Sequence, residues 1–305
     1  MALKYNLQLL FKQDYSKDYM PIIKSRPFKE KRPLVSSIIA AYNEEENIAA
    51  CIEAQLSQTY PNMEIIVVEN GESKDKTYEI AKSYEIKTKG KVRAYTIPGK
   101  QKGPGNAWTY GFKKSKGKVV CIVGADLIYD KDYISKGIVP ILEGETVGIN
   151  HKEEICKNPK NLWARAFFYR RSFVQPNSLS KVFTLIRRDY LKDKLWDPSL
   201  GYADDQTINR KFGTEFPAPN LNIYQNNPSS LREIWEHAGW VGRSMKINPL
   251  IVVLSLPLFP IYSLYKSAKH LIKEDFYIPF IIFLPIYYSV RYFAYFKEAL
   301  KKLFI

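Results

Sequence analysis

Four short acidic turns carry most of the chemistry this sequence could do. They are Ala41-Tyr42-Asn43-Glu44-Glu45, Glu69-Asn70-Gly71-Glu72-Ser73-Lys74-Asp75, Val123-Gly124-Ala125-Asp126 and Gly201-Tyr202-Ala203-Asp204-Asp205-Gln206. Carboxylates in such turns can accept hydrogen bonds from a ribose or a base, hold a divalent cation, or take the proton of an attacking hydroxyl. Asp204 and Asp205 are adjacent like charges, which can raise one pKa toward the range a general base needs. Acids there could equally serve a helix N-terminus ahead of Ile208 and Phe212. A fifth turn, Lys100-Gln101-Lys102-Gly103-Pro104-Gly105, offers two cations and bare backbone against which a phosphate could lie.

The elements that must position these turns follow from hydrophobic patterning. Residues 34–41 and 64–68 are short apolar runs ending in polar turns, as buried strands are; residues 92–97 and 118–123 repeat the pattern. Between them, helices are expected near residues 74–84 and 105–115. Asn43 can cap a further helix whose first turn is Glu44-Glu45-Glu46, continued by Ile48, Ile52 and Leu56. Strands alternating with helices imply right-handed crossovers and a parallel sheet, in which ligands bind at the carboxyl ends of the strands. Three of the acidic turns fall there.

At these residues the chain resembles the family 2 glycosyltransferases. Ala41-Tyr42-Asn43-Glu44-Glu45 matches that family's opening turn. Val67-Val68-Glu69-Asn70-Gly71-Glu72-Ser73-Lys74-Asp75-Lys76-Thr77 is similar to its donor-side loop, with one residue inserted. Gly124-Ala125-Asp126 stands where its metal motif ends the fourth strand, and Asp204-Asp205-Gln206-Thr207-Ile208-Asn209-Arg210 is similar to its acceptor-side motif. The resemblance covers residues 34–245. It implies an α/β class with the GT-A fold, a Rossmann-like mixed sheet flanked by helices, and an inverting transfer from a nucleotide-sugar donor.

By the same resemblance, Ala41, Tyr42, Asn43, Glu45, Glu69, Asp75, Lys102 and Asp126 would bind the donor. Asp126 would ligate Mg2+ or Mn2+, with His237 as a second ligand for Mn2+. Asp205 would be the base and Asp204 would orient the acceptor. The chain departs from the pattern at Glu69 (Asp in the family), at Gly124 (the first Asp of the metal motif) and at Asp204 (Glu in the family). It lacks a clean processive element; His237-Ala238-Gly239-Trp240, followed by Arg243, stands about there.

Composition bounds the partners. The 305 residues carry 46 Lys and Arg against 31 Asp and Glu, a net charge of +15. Three well-separated cysteines, Cys51, Cys121 and Cys156, make neither a disulfide framework nor a zinc ribbon. The positive charge is spread around acidic turns and not gathered in one recognition element, so nucleic acid is not an expected partner. Residues 1–33 carry eight Lys and Arg against three acids, and read as a basic amphipathic segment. Residues 247–265 and 276–290 contain no charge; interrupted by prolines, they read as membrane-associated or transmembrane helices in a hydrophobic hairpin at residues 246–305.

The expectation is a membrane location with the catalytic domain facing the cytoplasm. The expected acceptor is lipid-linked, either a glycan hydroxyl on a polyprenyl carrier or the polyprenyl phosphate. The acid pair tilts this toward a hydroxyl. Two alternatives stand beside it: a catalytically silent, membrane-bound relative that binds glycans, which Gly124 favours, and a sugar nucleotidyltransferase, whose glycine-rich first turn is missing here.

Overall fold

The computed structural model describes residues 22–71, 73–97, 103–151, 153–171, 183–191, 195–197, 208, 216–244, 248–273 and 276–303. They fall into two compact units: an α/β unit within Lys17–Ile155 and Val174–Gln225, and a helical unit within Cys156–Phe173 and Asn226–Ile305. The expected amphipathic segment lies mostly outside the described residues.

The α/β unit is organised around β1 (Val35–Ala41), in which every residue is buried. An apolar run covered on both faces is what a central strand of a parallel sheet requires. Strands β2 (Met63–Glu69), β3 (Val92–Thr96) and β4 (Val119–Gly124) join it in parallel, and β8 (Phe183–Arg187) and β6 (Gly148–Asn150) extend the sheet antiparallel, in the order β3-β2-β1-β4-β8-β6. Alternation along β1 divides the core. Val35, Ile39 and Ala41 pack on one face with Ile48, Cys51 and Ile52 of α1 (Ile48–Leu56). Ile38 and Ala40 pack on the other with Ala107 and Trp108 of α3 (Pro104–Lys114). Each buried Ile or Val side chain contributes about 1.5–3 kcal/mol.

Helix α2 (Thr77–Lys87) connects β2 to β3. Helix α3 opens with Pro104 after Gly103 at φ 99°, and ends on Lys113 and Lys114, which complement its dipole. It approaches β1 closely: a Cβ on Gly111 would stand 2.3 Å from Cγ2 of Ile38. A smaller sheet, in the order β5-β9-β7, is made by β5 (Leu127–Tyr129), β9 (Asn222–Gln225) and β7 (Glu153–Cys156). These elements match the expected α/β class, a parallel-rich sheet flanked by helices.

The helical unit contains α4 (Leu162–Arg171), α5 (Leu231–Ser244), α6 (Pro249–Leu254), α7 (Phe259–Lys273) and α8 (Phe280–Leu303), with a short 3-10 turn, Leu256–Leu258, before α7. Helix α8 packs along α4, α5, α6 and α7. The core of this unit joins Ala166, Phe167, Ile234, Phe280, Leu284 and Tyr287.

The expected membrane location, with its cytoplasm-facing catalytic domain, is corrected here. No helix among the described residues is long and apolar enough to cross a membrane. The first uncharged run does not form one helix; it is divided into α6, the 3-10 turn and the start of α7, with Pro249, Pro257 and Pro260 at or near the joints. The second enters α8 only from Phe280; that helix has 24 residues, but Arg291, Lys297, Glu298, Lys301 and Lys302 follow its apolar start. An unbroken apolar stretch of about 20 residues is what a span needs.

Candidate active site

In an open parallel sheet the natural crevice lies outside the carboxyl ends of the strands, where the strand order reverses. Here β2 lies on one side of β1 and β4 on the other, so the reversal falls between β1 and β4. Register aligns the strand ends: Ala41 is opposite Glu69, Glu69 is opposite Thr96, and Ala40 is opposite Gly124. The backbone thereby brings three of the four acidic turns to one edge.

Two of these turns are bound to each other. The amide of Asn43 donates to Oγ of Ser73 (3.0 Å), that of Lys74 to Oδ1 of Asn43 (2.8 Å), and that of Glu44 to Oγ1 of Thr77 (2.7 Å). Glu45 donates from its amide to Oδ2 of Asp75 (3.0 Å), and Lys76 donates from its amide to Oε2 of Glu45 (3.1 Å). Asp75 also accepts from the amide (3.1 Å) and hydroxyl (2.6 Å) of Thr77. Burial disfavours the charge on Asp75, but these bonds outweigh it and hold the carboxyl below its usual range.

Asn43 therefore differs from the expected helix cap. It sits at φ 52°, a left-handed conformation that Asn tolerates, and its side chain accepts from the neighbouring turn. Glu44-Glu45-Glu46 form a turn ahead of α1, which begins at Ile48.

Glu69 is buried, and its two oxygens accept from the amides of Gly71 (2.8 Å) and Ser73 (2.9 Å) and from Oγ1 of Thr96 (2.8 Å). Burial works against its charge; the bonds from Ser73, Thr96 and Gly71 prevail and lower the pKa. Being one methylene longer than the expected Asp, this side chain reaches back onto its own turn, which Gly71 closes at φ 76°. Ala41 is buried with its carbonyl accepting from the amide of Asn70 (3.0 Å), and Tyr42 next to it is exposed.

The third turn holds Asp126. The amide of Ala125 donates to the carbonyl of Ala40 (3.1 Å), which fixes the turn against β1. Nε2 of Gln225, on β9, donates to Oδ2 of Asp126. Oδ1 of Asp126 lies 2.8 Å from the point where a Cβ on Gly124 would stand, so a side chain there would need the Asp126 carboxylate to rotate aside. Glu44 faces the same corner. Its carboxyl is pushed up to about 8, first by burial and then by the charge of Asp126, while the Asn47 amide, which donates to Oε2 (2.9 Å), opposes the rise. Cys51 lines the corner from below, its Sγ 3.6 Å from the Gly124 carbonyl; burial, then Asp126 and Glu44, push its thiol well up.

Glu44 and Gln225 were absent from the residues expected to form the site. A signal for Glu44 was present, since it lies within the first turn. Gln225 had a weaker one: it is a polar residue on the buried side of an alternating strand.

Lys102, Asp204 and Asp205 lie outside the described residues. His237 is on α5 of the helical unit, where its ring meets the edges of Phe167 (centroids 4.7 Å apart) and Trp240 (5.9 Å). Among the described residues no group of three or more His, Cys, Asp or Glu side chains could hold a metal ion. One carboxylate at a strand end still suits Mg2+ or Mn2+, hard cations that take much of their coordination from substrate phosphate and water.

The sequence pattern described as glycosyl transferase family 2 matches residues 36–203, more than half of the chain. The chain belongs to this family. That sets aside the nucleotidyltransferase alternative. Glycosyltransferase AglE of Haloferax volcanii is 36% identical over 111 residues, 36% of this chain and 36% of that protein. An uncharacterized glycosyltransferase of Rickettsia prowazekii, RP339, is 32% identical over 193 residues, 59% of this chain and 58% of its own. The chain thus matches only part of the length of these curated relatives.

Among solved structures, the mannosyltransferase PcManGT from Pyrobaculum calidifontis, in complex with GDP-Man and Mn2+, superposes with a TM-score of 0.54 at 16% identity, covering 96% of this chain and 93% of that one. TarS of S. aureus gives 0.50 at 20% identity, covering 68% of this chain and 39% of that one. At these identities the likeness speaks for the fold alone, a GT-A-like mixed sheet flanked by helices.

Proposed function

We propose that this family 2 glycosyltransferase transfers a hexosyl group, with inversion, from a nucleotide-sugar donor to an acceptor hydroxyl in a metal-dependent reaction. The observation that carries the reading is Asp126, held at the β1–β4 switch point and facing Glu44. That is where an open α/β sheet binds its ligand. Glu44 there is held largely protonated by burial and by the charge of Asp126, and a cationic companion would let both acids ionise.

When bound, Mg2+ or Mn2+ neutralises the charge that develops on the leaving diphosphate. Asp126 would hold it. The turns at residues 41–45 and 69–77 brace the donor pocket: Asn43, Glu45, Glu69 and Asp75 keep the backbone in place through the bonds described above, and Tyr42 offers an exposed ring to a nucleotide. Lys102 binds a donor phosphate. Asp205 takes the acceptor proton as the hydroxyl attacks, and Asp204 orients the acceptor.

The acceptor in this reading is a glycan hydroxyl on a polyprenyl carrier in preference to the polyprenyl phosphate, which is already ionised and needs no base. The complex of PcManGT with GDP-Man and Mn2+ supports the donor and metal classes by analogy.

The test is release of the nucleoside diphosphate from a panel of nucleotide sugars, with Mg2+ or Mn2+, by the wild type, Asp126→Asn and Asp205→Asn. Metal-dependent release lost in Asp126→Asn, and transfer lost in Asp205→Asn with donor binding intact, are the expected results. Turnover that needs no metal and survives both changes would overturn the proposal. The silent-relative alternative rests on Gly124, and metal-dependent release of nucleoside diphosphate by the wild type would exclude it.

A further inference from the structure

Strand β6 ends at the same edge of the large sheet as β1, β2 and β4. It runs antiparallel to β8, which runs antiparallel to β4, so its carboxyl end lies with theirs. Ile149 is opposite Leu185, and Leu185 is opposite Cys121. His151 follows two residues later, level with the start of the turn that carries Asp126. Two steps between neighbouring strands separate β6 from β4 by about 10 Å. The smaller sheet repeats the spacing, since β7 stands two strands from β5 across β9.

The β6 end is built and not frayed. Its register with β8 slips between Ile149 and Asn150, an irregularity that re-aims the side chains after it. Asn150 ties the backbone down: its amide donates to the carbonyl of Pro217 (2.9 Å) and its Nδ2 to that of Phe216 (3.2 Å). Nε2 of His151 then stands 3.2 Å from Oε1 of Glu154. A carboxylate oxygen only accepts, so the proton on Nε2 faces Glu154 and the tautomer leaves Nδ1 as an acceptor. Nδ1 is buried, and among the described residues no group bonds to it. A buried polar atom without a bond calls for a partner. The two side chains keep 12% and 26% exposure, and the broad χ2 torsion of the ring can turn Nδ1 toward that opening.

A donor with its nucleotide on the turns at 41–45 and 69–77 and its diphosphate at Asp126 carries its sugar onward, past β4. The next carboxyl end along the sheet is that of β6. We propose that His151, oriented by Glu154, binds a hydroxyl of the sugar being transferred, so that the end of β6 is the sugar subsite of the donor cleft. This rests on the nucleotide-sugar reading given above. A sugar hydroxyl supplies the O–H that Nδ1 lacks.

The test compares affinities of the full chain, with Mn2+, for UDP and GDP against UDP-glucose, UDP-N-acetylglucosamine and GDP-mannose by titration calorimetry, with melting temperatures in parallel. His151→Phe keeps a ring and loses both nitrogens. It is expected to bind at least one of the sugar-bearing nucleotides about 5- to 10-fold more weakly than wild type does, and UDP and GDP within about twofold of wild type. His151→Asn sets an acceptor near the place of Nδ1 and should recover most of that loss.

A purely structural role would weaken the nucleotides with and without sugar alike, and that result overturns the inference. Wild-type affinities throughout also overturn it and leave the transfer reading standing; a raised KM for the acceptor in that case would assign the ring to the acceptor's hydroxyls. Failure of the wild type to bind any of the five nucleotides overturns the nucleotide-sugar reading and this inference together. Should His151→Phe not fold, His151→Ala is read by the same comparison.

Discussion

The strand ends of the α/β unit and the helices of the C-terminal unit treat polar groups in opposite ways. At the strand ends, side chains of Asn43, Glu45, Glu69 and Asp75 accept hydrogen bonds from backbone amides of the same or the adjoining turn. In the helical unit, buried polar side chains sit among rings. His270 has Phe280 and Tyr288 around it, and Arg291 donates to the hydroxyls of Tyr287 and Tyr295. Apolar exposure differs too: Ile261, Ile278 and Ile282 of the helical unit are each 70% exposed or more, whereas β1 and β4 bury essentially every apolar side chain. Directional bonds fix atoms to fractions of an ångström, while aromatic packing fixes volumes. Chemistry that needs placed carboxylates belongs to the first kind of region.

The largest effect that would break this comparison is on Asp126. Asp126→Ala should lower sugar transfer by about 10²–10³-fold, the range for losing one preorganised electrostatic group. Its melting temperature should fall only modestly, because the bond from buried Gln225 is lost while Glu44 is relieved of a neighbouring charge. A scan of activity and melting temperature together checks this, and a loss of activity no larger than the loss of stability explains would make Asp126 a structural acid.

Asp75→Ala comes next. It removes an acceptor of three bonds, from the amides of Glu45 and Thr77 and from the Thr77 hydroxyl. A loss of about 2 kcal/mol in denaturant unfolding is expected, accompanied by weaker donor binding as the two turns separate.

These two residues also mark what the sequence could tell. Strands β1, β2 and β4 were legible because a strand covered on both faces must be an unbroken apolar run, and their acidic turns were legible because they follow directly. The roles within the turns were less so. Asn43 reads as a helix cap from its neighbours, yet its partner is Lys74, 31 residues away. Gln225 lies 99 residues from Asp126, and no local pattern encodes a register between β5 and β9. The C-terminal runs misled for a different reason. Hydropathy counts residue types; it does not see that Pro257 and Pro260 divide one run into short helices, or that Tyr287 and Phe280 are buried within a helical core of their own.

The helical unit makes a pH-dependent prediction of its own. The His270 imidazole is pushed down to about 4, by burial first and then by the charge of Arg165. The unfolded chain binds a proton near pH 6.5, which the folded one refuses until about 4. Stability is therefore full above pH 6.5 and is lost as pH falls toward 4. The expected loss is about 2–3 kcal/mol, at roughly 1.4 kcal/mol per pKa unit. Urea unfolding at pH 7 and pH 4.5, compared with His270→Gln, isolates it; equal acid sensitivity in both proteins would show that the ring is not sealed.

The smallest effect is expected on the exposed face of α8. Ile282 is 76% exposed, two residues from Phe280, which is fully buried. A side chain already in water has little transfer free energy to lose, so Ile282→Ser should change stability by less than about 0.5 kcal/mol. Phe280→Ala, on the same turn, should cost about 3–5 kcal/mol. The ratio of the two is what sharpens the comparison, because each value alone would shift with the condition of the chain. If Ile282→Ser destabilised the isolated chain by more than about 2 kcal/mol, the face would be covered by another surface in solution, and a concentration-dependent melting temperature would identify that surface as a second copy of the chain.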